Sequence, residues 1–461
     1  MNYEFHAHLP LALQDAGTQS AAIDFLAGKQ SHPPHAWPEL AALDDDGARM
    51  ALLAQMLVFT SYKDQARVGA RNDPGGYLFW LEHGAREFLT RQRHRLNELN
   101  LDQSSRSLPD LSLLPFGTFA LHFTFTLTSP YLSKDDTALH LLDNPMKKEW
   151  LFKLPYVAST QWKGTLQATM VKQLVEWWQG LGEAEQSQRM QRKQFVAQRI
   201  QLTRLFGTEI ENTRRYLVQC GDEKLDRWYK RYVRRFLSST GFLAGRLYFY
   251  PTFFDQLSLE VINPHDRETG AGKLPIYFEA VPAGASASFT LLYTPLDRVG
   301  EDATETRRQV FADLQLLAEG LESLFTVYGF GAKTSSGFGL AELTGEGHLA
   351  LYYPAAKSQS PRPQEPLYPE AVREFLENYP PEYLDMKPKQ LKDAGVPNRM
   401  RQQAKEIKKL YQQYQSDLDQ YQSTLTEWET AATTPSPPIT ERGFCAFSDL
   451  VDIFDSVGGD I

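Results

Sequence analysis

The stretch Gly329 to Gly339 reads GFGAKTSSGFG and constrains this chain more than any other. A glycine–aromatic–glycine triplet stands at each end, with Lys333, Thr334, Ser335 and Ser336 between them. Glycine admits positive φ and lets other groups come close to the backbone. Gly329, Gly331, Gly337 and Gly339 therefore predict a tight loop. Phe311, Leu314, Ala318, Leu321 and Phe325 predict one face of a helix before it, and Phe338 to Leu343 a short strand after it. Lys333 offers a cation, and the three hydroxyl residues offer donors and amides, a set suited to a phosphate backbone. The order helix, loop, strand and the presence of Ala332 before Lys333 count against a nucleotide-binding P-loop, which follows a strand and opens a helix. A glycine-rich turn with no ligand is the plain alternative, and only a second element can displace it.

Composition sets the bounds. A chain of 461 residues, 42% hydrophobic and 23% charged, is long enough for a full core and more than one structural unit. No apolar run of membrane-spanning length occurs, so no membrane partner is expected. The first residues lack the basic start and apolar centre of a secretory signal. Cys220 and Cys445 are the only cysteines, which excludes a disulfide framework and a cysteine-rich zinc site and fits a reducing, cytoplasmic setting. The net charge of -9 does not by itself suggest nucleic acid, but central segments are basic while acidic residues gather near Asp44–Asp46 and in the tail.

Residues 1–115 read as a helical extension, with helices over Ala48–Phe59 and Tyr77–Leu99; Arg91, Arg93 and Arg95 form a ladder read as a solvated face. From Phe119 to Leu127 the apolar residues alternate, predicting a half-buried strand. A loop from Ser129 to Leu154 carries Asp135, Asp136, Asp143, Lys147, Lys148 and Lys153. Pro155 to Gly164, PYVASTQWKG, leads into a helix, and Lys163-Gly164 is expected to show a cation and free amides to phosphate at that helix start. A helical insertion follows at about 180–242. Its segment Lys224–Arg235 interleaves Arg231, Arg235 and other cations with Trp228, Tyr229 and Tyr232, which suits either a nucleic-acid surface or an amphipathic packing helix. Strands resume at Gly245–Tyr250, Pro275–Ala280 and Ser288–Tyr293. Taking the first two as one meandering element, residues 116–354 give an α+β, ferredoxin-like (RRM-like) β-α-β-β-α-β body. Residues 355–461 read as linker, polar helix and acidic tail.

These pieces resemble the RAMP superfamily of CRISPR-associated RNA-binding proteins, nearest to the capping or backbone subunits of a type III (Cmr- or Csm-type) interference complex. The resemblance rests on the glycine loop, on PYVASTQWKG, on Leu205-Phe206-Gly207 and Gly245-Arg246-Leu247, and on Asn263-Pro264-His265 followed by Val281-Pro282-Ala283-Gly284. Ala158, Ser159, Gln161 and Gln167 depart from the family pattern. What the resemblance implies is a subunit gripping CRISPR RNA through Lys163 and Lys333, with Thr334, Ser335 and Ser336 as donors, beside target single-stranded RNA and other CRISPR-associated subunits. It also implies that Asp143, with Asp135 and Asp136 as fallbacks, holds Mg²⁺ or another divalent cation and cleaves target RNA, Lys147 or Lys148 steadying the phosphate. Replacing Asp143 would then abolish metal-dependent cutting. Two alternatives stand beside it: a guide-RNA-processing endoribonuclease using His122, His140 or His265, and a purely structural capping subunit.

Overall fold

The computed structural model describes residues 14–457 except 59, 71, 102–109, 136–139, 238–239, 266–267, 271, 273, 353–361 and 434–438. The chain divides into two compact units, residues 1–353 with 439–461, and residues 354–438.

The first unit opens with helices α1 (Ala16–Leu26), α2 (Asp46–Leu53), α3 (Thr60–Ala66), α4 (Gly76–His83) and α5 (Ala85–Glu98). Asp15 and Asp45 cap α1 and α2 by accepting backbone N–H groups of the first turn. The helix expected over 77–99 is two helices that meet at Gly84, where a Cβ would lie 2.9 Å from the Trp80 indole Cδ1. The helix expected over 48–59 ends at Leu53 and tightens into a 3₁₀ turn at Ala54–Val58; residue 59 lies outside the described residues. Ile23, Leu52, Phe88 and Leu89 form a core that also takes in Leu141, Leu142, Phe152, Leu154 and Phe253 from later in the chain. The arginine ladder is partly consumed by this packing: Arg91 pairs with Glu87 and Asp46, and Arg93 Nη1 donates to the Phe253 carbonyl.

The main sheet is antiparallel and built around β1 (Phe119–Leu127). After β1 come a two-residue strand β2 (Tyr156–Val157) and the long helix α6 (Ser159–Gly180). The insertion consists chiefly of α7 (Arg189–Phe206), α8 (Glu211–Cys220) and α9 (Glu223–Tyr232). Then follow β3 (Leu247–Phe249), β4 (Thr252–Phe253), β5 (Ser258–Ile262), β6 (Ile276–Ala280), β7 (Ser286–Tyr293), α10 (Ala303–Ser323), β8 (Ala341–Leu343) and β9 (Gly347–Leu351). β7 lies along one edge of β1, and β8 and β9 lie end to end along the other; β3 pairs with the far side of β7. Read as β1-α6-β3-β7-α10-β8, the motif's fourth, first, third and second strands lie side by side, the ferredoxin-like order. The expected single meander over 245–280 is instead two pieces. β3 joins the main sheet, while β5 and β6 pair with each other in a separate ribbon.

Phe119, Leu121, Phe123, Phe125 and Leu127 are all buried against α6 and α10 residues. Trp162 of α6 is fully buried, its ring centroid 4.7 Å from Phe330 and 5.0 Å from Phe289, and its Nε1 donates to Thr252 Oγ1. Aromatic pairs of this kind contribute about 0.5–1.5 kcal/mol each beyond the area they bury. Ala120, on the opposite face of β1, is buried too, under Leu111, Leu292 and Ile439, so that end of the strand is covered on both sides.

The second unit holds α11 (Glu370–Asn378), α12 (Pro388–Asp393) and α13 (Asn398–Thr433). α13 is not polar all round: Ile407 packs with Val372, Phe375 and Leu384. Returning to the first unit, β10 (Thr440–Phe444) adds an edge strand to β9 and is followed by α14 (Asp449–Val457). Phe447 stands edge-on to Phe123 at 5.2 Å. The segment read as an acidic tail therefore completes the sheet and its core.

Candidate nucleic-acid interface

The glycine loop is a tightly held turn. Gly331 and Gly339 take φ of 98° and 75°, and a Cβ on them would lie 2.3 Å from the Leu132 carbonyl oxygen and 1.9 Å from that of Phe330. No side chain fits there. The Ala332 and Gly339 amides donate to the carbonyls of Leu132 and Pro130, which fixes the loop on the chain leaving β1. Lys333 itself is left-handed at φ 58°, a conformation uncommon outside glycine. Its Nζ stands 5.0 Å from the centroid of Phe278 on β6. Lys333, Ser335, Ser336 and Gly337 are exposed or partly so, and Thr334 lies beside them at the start of a short 3₁₀ turn.

The Lys163-Gly164 pair does not sit at a helix start. α6 begins at Ser159, so Lys163 and Gly164 lie beyond its first turn, where amides bond back into the helix. The reason is local: Ala158 is extended and takes the N-cap position without a side-chain cap, and Trp162 anchors the first turn in the core. Lys163 is half-buried, and among the described residues it has no ion pair. Gly164 faces open space: a Cβ at this position would meet nothing within 4 Å. The two loops nevertheless converge. Gln161 Oε1 accepts from Tyr131 Oη at 3.3 Å, and Tyr131 packs on Phe330 with centroids 5.4 Å apart.

On α9 the packing reading of Lys224–Arg235 holds for one face, and the other face is exposed and basic. Leu225, Tyr229 and Val233 are buried, and Asp226 joins the bidentate Arg199–Glu209 pair beneath them. Lys224, Arg227, Arg231, Arg234 and Arg235 face outward, and among the described residues none has a carboxylate partner. Trp228, Tyr232 and Phe236 are exposed between them, with the Arg235 guanidinium 5.3 Å from the Phe236 centroid. The Leu205-Phe206-Gly207 and Gly245-Arg246-Leu247 elements, distant in sequence, pack backbone to backbone. The Arg246 amide donates to the Arg204 carbonyl, and a Cβ on Gly245 would lie 2.4 Å from the Phe206 carbonyl carbon.

The loop after β1 is more firmly tied than its length suggests. Asp143 is exposed, and its Oδ2 accepts from Arg67 Nη2 at 2.8 Å. Asn144 Nδ2 donates to the Tyr277 carbonyl and the Met146 amide to Glu279 Oε2, so residues 143–146 are tied to β6 rather than carried on slack chain. Asp135 has its Oδ2 3.7 Å from His140 Nε2; Asp136 lies outside the described residues. Among the described residues no group of three or more His, Cys, Asp or Glu side chains is placed to hold a metal ion.

Lys148 is only partly exposed. Its Nζ is 2.6 Å from Glu279 Oε2, and burial pushes Lys148 down to about 7 and Glu279 up to about 8. Lys147 Nζ stands 6.0 Å from the Tyr156 centroid. Burial lowers His140 as well, against the opposing charge of Asp135. His122 shares a hydrogen bond with Thr290 Oγ1 on β7, and His265 is exposed. Sequence reading missed that Lys148, Glu279, Asp135 and His140 line one cavity, because they come from segments far apart.

No family model matches the chain, and no curated protein does. Among solved structures, a chain of the "Type III-B Cmr-beta bound to cognate target RNA" is similar at 12% identity and a TM-score of 0.32, covering 70% of this chain and 97% of that one. A chain of a "CRISPR RNA-guided surveillance complex" shows 15% identity and a TM-score of 0.30, covering 57% and 85%. Cmr6 from Pyrococcus furiosus shows 14% identity and a TM-score of 0.25, covering 50% and 100%. The fold assignment rests on the strand order itself. No described helix is long and apolar enough to cross a membrane.

Proposed function

We propose that this chain is an RNA-binding subunit of a type III CRISPR RNA-guided complex, gripping CRISPR RNA by its backbone beside other CRISPR-associated subunits. The observation that carries the RNA reading is the outer face of α9 and the turn after it: five cations without carboxylate partners among the described residues, interleaved with three exposed aromatic rings. Cations on phosphates supply affinity without sequence preference, and aromatic rings stack on any base. The glycine loop, with Lys333 raised over Phe278, adds a second cationic point. The complex is proposed from the set of motifs, of which the glycine loop meets the Pro155–Gly164 segment through Tyr131, and Leu205–Gly207 meets Gly245–Leu247.

The test is RNA binding by the purified full chain. Arg231→Glu with Arg235→Glu should weaken affinity for unrelated single-stranded RNAs alike and lower the salt slope by about 1.4, at about 0.7 per phosphate contact. The melting temperature should not move. An unchanged slope, or a loss of folding, would refute the assignment of this face.

A further inference from the structure

A cavity of about 790 Å³ opens between the N-terminal helices and the loop after β1, and no residue of α9 lines it. This size falls in the range of about 300–1,000 Å³ typical of small-molecule sites. Its walls are apolar and aromatic, including Met50, Trp80 and Phe88 from the helices and Trp150 and Tyr156 from the body. Its charged groups sort into two kinds. The carboxylates are all engaged: Asp46 with Arg91, Asp135 with His140, Glu279 with Lys148, and Glu149 by the amides of Leu151 and Phe152 at 2.7 Å each. Lys147 and Lys153 are different. Among the described residues neither has a carboxylate partner, and each stands over an aromatic ring, Lys147 over Tyr156 and Lys153 over Trp150 at 4.7 Å.

Two further features set the site apart from a packing defect. Lys153 holds a left-handed φ of 57°, a strained conformation for a lysine. Trp150 is 77% exposed although it lies on the cavity rim, so much of its ring surface is uncovered.

We propose that this cavity binds a nucleotide: a base lodged among the aromatic walls and stacked at Trp150, its phosphate on Lys147 and Lys153. A base needs a flat apolar slot, and Met50, Trp80, Phe88 and Tyr156 line one here. The phosphate needs cations that are not already neutralised, and among the described residues of the wall Lys147 and Lys153 provide them. The nucleotide comes either from an unstacked position of a bound RNA strand or from free mononucleotide, and the chemistry of recognition is the same. The site does not depend on the α9 face, so the two stand or fall separately.

The experiment is calorimetric titration of the full chain with adenosine 5′-monophosphate and uridine 5′-monophosphate, with adenosine and ribose 5-phosphate as half-ligands. A nucleoside monophosphate should bind, each half-ligand at least tenfold more weakly. Lys147→Ala with Lys153→Ala should weaken binding at least tenfold, and so should Trp150→Ala, whose exposed ring takes no part in the core. Arg231→Glu with Arg235→Glu should leave mononucleotide binding unchanged. A single-stranded 12-mer RNA that displaces the mononucleotide identifies the strand as the source; a mononucleotide retained in its presence identifies the free form. Absence of mononucleotide binding at millimolar concentration, or equal binding by the lysine and tryptophan variants, would overturn the proposal.

Discussion

Two clusters of buried charge in the first unit behave in opposite ways. At one, Arg246 is 2% exposed and Asp313 fully buried, yet both are richly partnered. Arg246 donates to Asp297, Gln309, Tyr293 and Asp313, while Arg204 and Tyr293 also donate to Asp313. Burial alone would lower Arg246, but the hydrogen bond with Asp297 and the charges of Tyr293, Asp313 and Asp297 raise it above its ordinary value. At the other, Lys148 and Glu279 have mainly each other and the Met146 amide, and burial drives both toward their neutral forms. The first cluster ties α7, the residue before β3, β7 and α10 together. The second lines a cavity. The two clusters differ in how many hydrogen bonds their charges receive.

The sharpest way to break this contrast is Asp313→Ala, which strands two arginines around an empty position. A loss of about 3–5 kcal/mol is expected, read from denaturant unfolding. A loss under about 1 kcal/mol would mean that the network does not clamp the sheet to its helices.

Glu279→Gln tests the second cluster by pH. In the parent, Glu279 keeps a proton that the unfolded chain releases above about 4.5, so this group's contribution declines as pH rises from there to about 8. The variant lacks that decline. It keeps Lys148, which is lowered to about 7 while the unfolded lysine stays near 10.5. The unfolded state then binds more protons between those values, and stability should climb with pH across that window, at most about 1.4 kcal/mol per unit. Melting temperatures that are flat from pH 7 to 10 would show that Lys148 is not depressed.

The smallest effect belongs to Asp143→Ala. The Arg67 pair ties the same loop down from outside, but its carboxylate is 80% exposed, so the change should cost less than about 1 kcal/mol in a thermal melt. A larger loss would show that solvent does not screen this contact and that the outer anchor resembles the inner one.

How much of this is legible in the sequence depends on how locally each feature is encoded. The alternation at Phe119–Leu127, the apolar face of α10 and the glycine loop are written in consecutive residues, and each is found where its pattern puts it. The start of α6 is harder to place because Ser159 and Thr160 read as turn residues, whereas the burial of Trp162 pulls them into the helix. β10 leaves little trace, since Thr440-Glu441-Arg442-Gly443-Phe444 buries only its two end residues. The cavity leaves none. Its wall draws on residues 46–89, 135–156 and 257–279, and no window of sequence holds them together.

The register of β10 against β9 has a consequence for how the chain is made. Leu351 faces Thr440 across that pair, so the whole second unit leaves and rejoins the sheet at adjacent points, in the manner of an enlarged hairpin connection. Lengthening such a connection costs little, about 0.6 kcal/mol for each doubling of its residues. Time is what it costs instead. During synthesis β9 emerges with its outer edge open and the Phe123–Phe325 cluster without Phe444 and Phe447, and both wait while the second unit is translated. A nascent chain stalled in that interval exposes an unpaired strand edge over aromatic surface, the combination that recruits chaperones or a neighbouring strand.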